Sequence, residues 1–243
     1  MTTISRSTLW RWYKRDALKP WRYRQWLFPR DPLFLAKATV ILNLYHGWWQ
    51  GEPLGPDDFV ISADEKCGLQ VLSRCHATRA LQPGQGGQVE FEYERLGTIA
   101  YQAALDVFAG RVMGQVVDQN CIPTFNQLVD HVMTQPPYHS ARRVFWIIDN
   151  GPSHHPATFP ARLSSLHEHA IAVHLPVHAS WLNQIELYFS LLQRKALTPR
   201  DFASADDMTQ RILAFQARFT AQAKPFNWRF SATDLQERMQ LLN

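Results

Sequence analysis

The spacing of apolar and polar residues divides this chain into helical and extended segments. Leu9, Trp12 and Tyr13 form an apolar stripe at helical spacing behind Ser5 or Ser7 as N-cap, which predicts a short helix over 5–15 that Lys19-Pro20 ends. Residues 29–32 read as a linker and 33–50 as a second helix, stopped by Gly51, Pro53, Gly55 and Pro56. Extended segments follow at 59–64 and 69–75, then a Gly/Gln-rich loop over 81–88. Residues 98–108 and 111–117 read as strands joined at Ala109-Gly110. Phe125, Leu128, Val129 and Val132 share one face of a helix over 123–133. The run 144–148 is apolar throughout, the mark of a central strand buried on both faces. A helix over 156–169, a strand over 171–175 and helices over 182–197, 205–221 and 232–241 complete the pattern. Hairpin strands feeding alternating strands and helices predict an α/β fold, a mixed sheet flanked by helices.

Composition narrows the class. With 243 residues and 46% hydrophobic content, the chain can bury one substantial core and is not predominantly disordered. No apolar run approaches the roughly 20 residues a bilayer requires, since Asn43 and His46 break the stretch over 40–49. The first residues lack the apolar run of a secretory signal, so a cytoplasmic protein is expected. Cys67, Cys75 and Cys121 form no CxxC pair and read as reduced, mostly packed thiols. No His/Cys set has the spacing of a closed zinc site either. The charge is uneven. Residues 1–30 carry eight bases against one acid, net +7, while the remainder carries 17 bases against 20 acids, net −3. In that arm Arg6, Arg11, Lys14, Arg15, Lys19, Arg22 and Arg24 alternate with Trp and Tyr, a pattern suited to a phosphate backbone. The plainer reading is a solvated helix whose aromatics dock on the body.

Three carboxylates stand where such a sheet could gather them. Asp64 closes the first extended segment, Asp149 closes the buried strand, and Glu186 lies one turn into the helix over 182–197. Each alone has an ordinary explanation: Asp64 a strand end, Asp149-Asn150-Gly151 a tight turn, Glu186 a solvated helical acid. Converging, they repel one another unless a hard cation binds, and oxygen donors suit Mg²⁺ or Mn²⁺ rather than zinc. Two such ions about 3.5–4 Å apart serve phosphodiester chemistry.

The blocks Ser-Ala-Asp64-Glu65-Lys66, Trp-Ile-Ile-Asp149-Asn150-Gly151-Pro-Ser-His154-His155 and Trp181-Leu182-Asn183-Gln184-Ile185-Glu186 resemble the three catalytic blocks of DDE transposases. The resemblance is to bacterial insertion-sequence transposases of the mariner superfamily, including the 36 residues between Asp149 and Glu186, and covers roughly 58–230. It implies a ribonuclease H-like core with a five-stranded mixed sheet, and Asp64, Asp149 and Glu186 as ligands of two Mg²⁺ or Mn²⁺ ions. It also implies DNA as partner (the element's terminal repeats and target DNA), a homodimer on DNA and a place at the nucleoid. Asn150, His154, Asn183 and Gln184 fall where they either steady those ligands or touch the DNA backbone. For His154-His155, capping of the next helix is an equal alternative, and Trp181 reads as packing at a helix start. Residues 4–11 with Leu18-Lys19-Pro20 resemble the recognition helix of a helix-turn-helix. The expected organisation is therefore a remnant of that DNA-binding domain over 1–30, a helical linker over 31–57 and the catalytic domain over 58–243. Transposition by strand cleavage and transfer is the activity implied. A transposition-incompetent DNA-binding remnant and a ribonuclease H-like nuclease are the alternatives.

Overall fold

The computed structural model of the chain describes residues 5–15, 30–76, 79–80, 82–199 and 201–240, in two compact units, 1–30 and 31–243. The first unit contains α1 (Arg6–Arg15). Ser5 Oγ accepts the Thr8 backbone N–H at 3.2 Å and so caps this helix. Arg6 and Arg11 are exposed; the side chains of Lys14 and Arg15, and Lys19, Arg22 and Arg24 as a whole, lie outside the described residues.

The second unit runs α2 (Phe34–Tyr45), β1 (Trp48–Trp49), β2 (Glu52–Pro53), β3 (Asp58–Arg74), β4 (Tyr93–Asp106), β5 (Val112–Val117), α3 (Ile122–Met133), β6 (Arg143–Ile148), α4 (Phe159–Leu166), β7 (Ala170–His174), α5 (Ile185–Lys195), α6 (Ala205–Ala221) and α7 (Ala232–Gln240). One five-stranded sheet has the order β5-β4-β3-β6-β7. The hairpin strands β3, β4 and β5 are antiparallel, whereas β6 and β7 join β3 in parallel. This is the mixed sheet flanked by helices that the ribonuclease H-like expectation required.

Alternation along β6 shows how the sheet is covered. Val144, Trp146 and Ile148 pack with Phe125, Val129 and Leu163 beneath α3 and α4. Phe145 and Ile147 point the other way, into a cluster with Ile41, Leu44 and Leu235 of α2 and α7. On the hairpin half of that face, Tyr101, Ala103 and Leu105 pack under Phe189, Leu192 and Ile212 of α5 and α6. A strand dry on both faces accounts for the unbroken apolar run. Residues 31–57, read as a linker, supply through α2 a wall of this core.

Several elements differ from the sequence expectation. The segments over 59–64 and 69–75 are one 17-residue strand, β3. Its pairing with β4 slips between Lys66 and Leu69, where Gly68 takes a φ of +66° that favours glycine. Polar residues at that bulge made one strand resemble two. Asp64 therefore lies inside a strand and does not close it. The helix over 33–50 stops at Tyr45, and a small β1–β2 hairpin follows. The helix over 156–169 shrinks to α4, which has Pro160 in its first turn. The cysteines are free, but Cys67 and Cys75 are exposed and Cys121 half-buried, so they are not mostly packed.

Candidate active site

Asp64 and Asp149 are brought abreast by the parallel register of β3 and β6. Ser62 pairs with Ile147, and each Asp stands two residues further along its strand, on the same side because side chains alternate. Asp149 lies just past the end of β6, at the carboxyl edge where open sheets bind ligands. One ligand atom each from Asp64, Asp149 and His154 fall within 4.8 Å of one another.

The surrounding bonds fix these groups. Asp64 Oδ1 accepts the Glu65 N–H at 2.7 Å, and Oδ2 accepts Asn183 Nδ2 at 3.1 Å. Asp149 Oδ1 accepts the Gly151 N–H at 2.7 Å. A Cβ on Gly151 would come within 2.9 Å of the His154 ring and 3.0 Å of Asp149 Oδ1, so no side chain fits there. His154 is buried, with Nδ1 3.0 Å from Asp149 Oδ1 and Nε2 3.0 Å from Glu65 Oε2. Asn150 Nδ2 donates to the Leu175 carbonyl at 3.0 Å, tying the end of β6 to the end of β7.

Burial and mutual repulsion set the titration behaviour. Burial, then the neighbouring Asp149 charge, push the Asp64 carboxyl up to about 7, with Glu65 and Glu186 adding to the effect. Partial burial of a side chain that still reaches solvent, together with Asp149, raises Glu186, although Lys66 opposes them. Burial disfavours the His154 imidazolium, but the Glu65 and Asp149 carboxylates outweigh it and the net shift is upward. Glu65 shifts down: burial opposes its charge, but the bond to His154 prevails, helped by Asn120 and Ser153. Both ring nitrogens are engaged: Nδ1 bonds the Asp149 backbone carbonyl at 3.1 Å beside that residue's carboxylate, and Nε2 bonds Glu65 Oε2. Its place in the cluster is that of a clamp on Asp149.

Glu186 sits differently from its sequence expectation. The helix over 182–197 is shorter, because Ser180–Leu182 forms a separate 3-10 turn and Asn183 is extended before α5 begins at Ile185. Glu186 is the second helical residue, exposed, and outside the 4.8 Å group, although its charge acts on Asp64. The break at Asn183 has a local cause. Its side chain donates to the Ala63 carbonyl at 3.1 Å and to Asp64, while its Oδ1 accepts the Ser62 hydroxyl. Ser62 Oγ also accepts the Ile185 N–H at 3.0 Å. From α2, the buried Tyr45 hydroxyl donates to the Leu182 carbonyl at 2.7 Å and accepts the Gln184 N–H at 3.4 Å. Gln184 is buried, and its Oε1 has no hydrogen-bond partner among the described residues.

Sequence reasoning missed Glu65, Ser62 and Tyr45. Adjacency to Asp64 was a signal for Glu65. Tyr45 lies 137 residues from its acceptor and had none. His155 Nδ1 accepts the Ala157 N–H in the turn before α4, so neither histidine side chain caps that helix. Trp181 is 48% exposed and packs edge-on against Phe230 at 5.8 Å. Beside Asp149, a cleft of about 320 Å³ is lined by Asn150, Val177, His178 and Ser180, with His178 at a φ of +61°. Of the three acids, Asp149 lines it.

Comparison with solved structures finds the same architecture in a mariner transposase. The Mos1 mariner paired end complex with Mn matches at a TM-score of 0.55 and 14% identity, covering 92% of this chain and 72% of that one. The Mos1 strand transfer complex matches over the same shares at 0.53 and 14%, and the pre-cleavage Mos1 transpososome at 0.53 and 13%. At these identities the likeness establishes the fold. Comparison with curated proteins finds no match. Residues 61–209, more than half of the chain and spanning all three acids, match the model of the DDE superfamily endonucleases, and the chain belongs to that family.

Proposed function

We propose that the chain is a transposase of an insertion sequence that cuts DNA at the element's ends and joins them to target DNA. The carrying observation is the pair of carboxylates, Asp64 and Asp149, abreast on β3 and β6 with no Lys or Arg ion pair among the described residues. The donor set fits a hard divalent cation: oxygen ligands, with Asp64 pushed up to about 7 by burial and then by the neighbouring Asp149 charge. Asp64, Asp149 and Glu186 would hold two Mg²⁺ or Mn²⁺ ions. When bound, such ions activate the attacking oxygen and stabilise the leaving one. His154 and the Gly151 N–H hold Asp149, Asn183 holds Asp64, and the Tyr45 and Ser62 hydroxyls hold the turn that delivers Glu186. Water attacks phosphorus as the bond to the 3′-oxygen breaks. The freed 3′-hydroxyl then attacks target phosphorus, one phosphodiester forming as another breaks, with no covalent enzyme–DNA intermediate.

The partner is DNA, engaged by a homodimer. The cationic arm, including Arg6, Arg11, Lys14, Arg15, Lys19, Arg22 and Arg24, contacts phosphates, and the chain works at the nucleoid. The catalytic reading is tested by nicking of supercoiled plasmid. Cutting should require Mg²⁺ or Mn²⁺ and vanish in Asp149→Asn; metal-independent cutting, or full activity in that variant, would overturn it. Competition between a terminal-repeat duplex and a scrambled one at fixed salt measures specificity. With phosphate contacts alone the two should compete within about tenfold, or 1.4 kcal/mol.

A further inference from the structure

We propose that a groove on the far flank of α5 is a binding site for an unpaired DNA strand, separate from the carboxylates. The inference rests on the reading of the chain as a DNA enzyme and adds a second contact surface to it. The groove has a volume of about 600 Å³ and lies between α5, α6 and the segment that follows α6. Lys195, Arg218 and Lys224 stand on those three elements, all exposed, and no acid among the described residues lines the groove. Among the described residues none of the three makes an ion pair. Residues 31–243 carry a net charge of −3, so three unpaired cations around one groove run against the local average and favour a polyanion.

The floor supplies a second kind of recognition. Phe226 packs on Phe219 with ring centroids 6.2 Å apart, and Phe219 on Tyr188 at 5.0 Å, so an aromatic ladder runs from the core to the groove. Phe219 and Phe226 are only half-buried and leave ring surface to solvent. Gln222 beside them makes no side-chain hydrogen bond among the described residues and offers both donor and acceptor. Cations that track a backbone around ring faces that take bases are the ingredients of single-strand binding. A duplex keeps its bases stacked and can offer only phosphates to the rim, whereas an acidic peptide would use the cations and leave the rings idle.

The position is also informative. Glu186 is the second residue of α5 and Lys195 its last, so the groove lies about 13 Å along the helix and about half a turn around it from Glu186. The occupant is therefore not the phosphodiester being cut. It is a stretch of strand a few nucleotides removed from the cut, carried over α5 after it separates from its complement.

Fluorescence anisotropy with the full chain tests this, using an oligothymidylate of about twenty nucleotides and a duplex of the same length. The triple variant Lys195→Gln/Arg218→Gln/Lys224→Gln changes only exposed side chains. Between about 50 and 200 mM salt, its log–log slope for the oligothymidylate should flatten by about 2, or 0.7 for each phosphate no longer neutralised. Phe226→Leu keeps the apolar bulk and removes the ring face. It should weaken oligothymidylate binding between about fivefold and a hundredfold, leaving the slope and the duplex affinity unchanged. An unchanged slope in the triple variant overturns the proposal, as does an acidic peptide or the duplex displacing the oligothymidylate as well as unlabelled strand does. Asp149→Asn separates the two readings, because it should stop cutting and leave strand binding intact. A native chain that fails to cut while the groove variants still lose the strand would sink the catalytic reading alone.

Discussion

Strand β3 carries two buried aspartates six residues apart, and they live in opposite electrostatic worlds. Asp58, at the start of the strand, accepts bidentate bonds from Arg143 at 3.0 and 2.8 Å, a further pair from Arg142, and the Gly55 N–H at 2.9 Å. Burial alone would raise its pKa, but the Arg143 and Arg142 guanidiniums reverse this and hold the carboxyl well below the usual range. Asp64, on the same side of the same strand, faces other acids and is pushed up to about 7. A buried carboxylate that serves the fold has its counter-charge built in. One whose neighbours are acids destabilises the fold until something cationic arrives, and such uncompensated repulsion is the physical mark of a site.

The sharpest way to break this contrast is to neutralise each side. Asp64→Asn should reduce metal-dependent nicking to the protein-free level while leaving the metal-free protein at least as stable as before. A variant that still nicks would leave Asp64 a mere strand residue. Next in size are the hydroxyls that hold the catalytic turn. Tyr45→Phe and Ser62→Ala keep most of their packing but release Leu182, Gln184 and Ile185. Each should cost about 10–100-fold in activity or metal affinity, read as a shifted Mg²⁺ requirement. A smaller effect on metal-free stability separates positioning from folding.

Stability in the presence of metal follows. At a hundred times its Kd, Mg²⁺ should add about 2.7 kcal/mol to unfolding, an increment that Asp149→Ala removes and Asp58→Asn retains. A melting temperature indifferent to millimolar Mg²⁺ and Mn²⁺ would count against the site.

The smallest effect is the slope of stability with pH, and the two aspartates give it opposite signs. Asp58 has a depressed folded pKa, so its contribution is present above the unfolded value near 4 and is lost as pH falls below it. Asp64 has a raised one. Between about pH 4 and 7 the metal-free folded state holds the extra proton, so stability falls as pH rises through that window. Denaturant unfolding across pH should show Asp58→Asn removing the acid limb, at a cost of about 1–3 kcal/mol near neutrality. Asp64→Asn should flatten the limb between pH 4 and 7.

Much of this was legible in the residue order. The apolar run of β6 and the helical stripe of α3 are local patterns, set by which side chains must leave water at a period of two or 3.6, and the turn at Ala109-Gly110 follows from a glycine at positive φ. The three acidic blocks were legible too, because short segments with a fixed chemical task keep their residue types close together. The boundaries that failed were those decided at long range. The 17-residue β3 continues through a polar bulge because β4 pairs with it, and the helix over 182–197 breaks at Asn183 because that side chain is drawn to Ser62 and Asp64, more than a hundred residues away.

Residue order alone dictates most of the elements that form and the residue types that carry the chemistry, since both follow from local hydrophobic periodicity and side-chain functional groups. It took the folded sheet to set Asp64 abreast of Asp149, to bond His154 to the Asp149 carbonyl and the Glu65 carboxylate, and to let Tyr45 of α2 pin the turn before Glu186. The same structure gave Asp58 two arginines and Asp64 none. The reason is physical. A carboxylate's behaviour depends on burial and on charges within a few ångströms, and those neighbours come from strands and helices that meet only when the sheet closes.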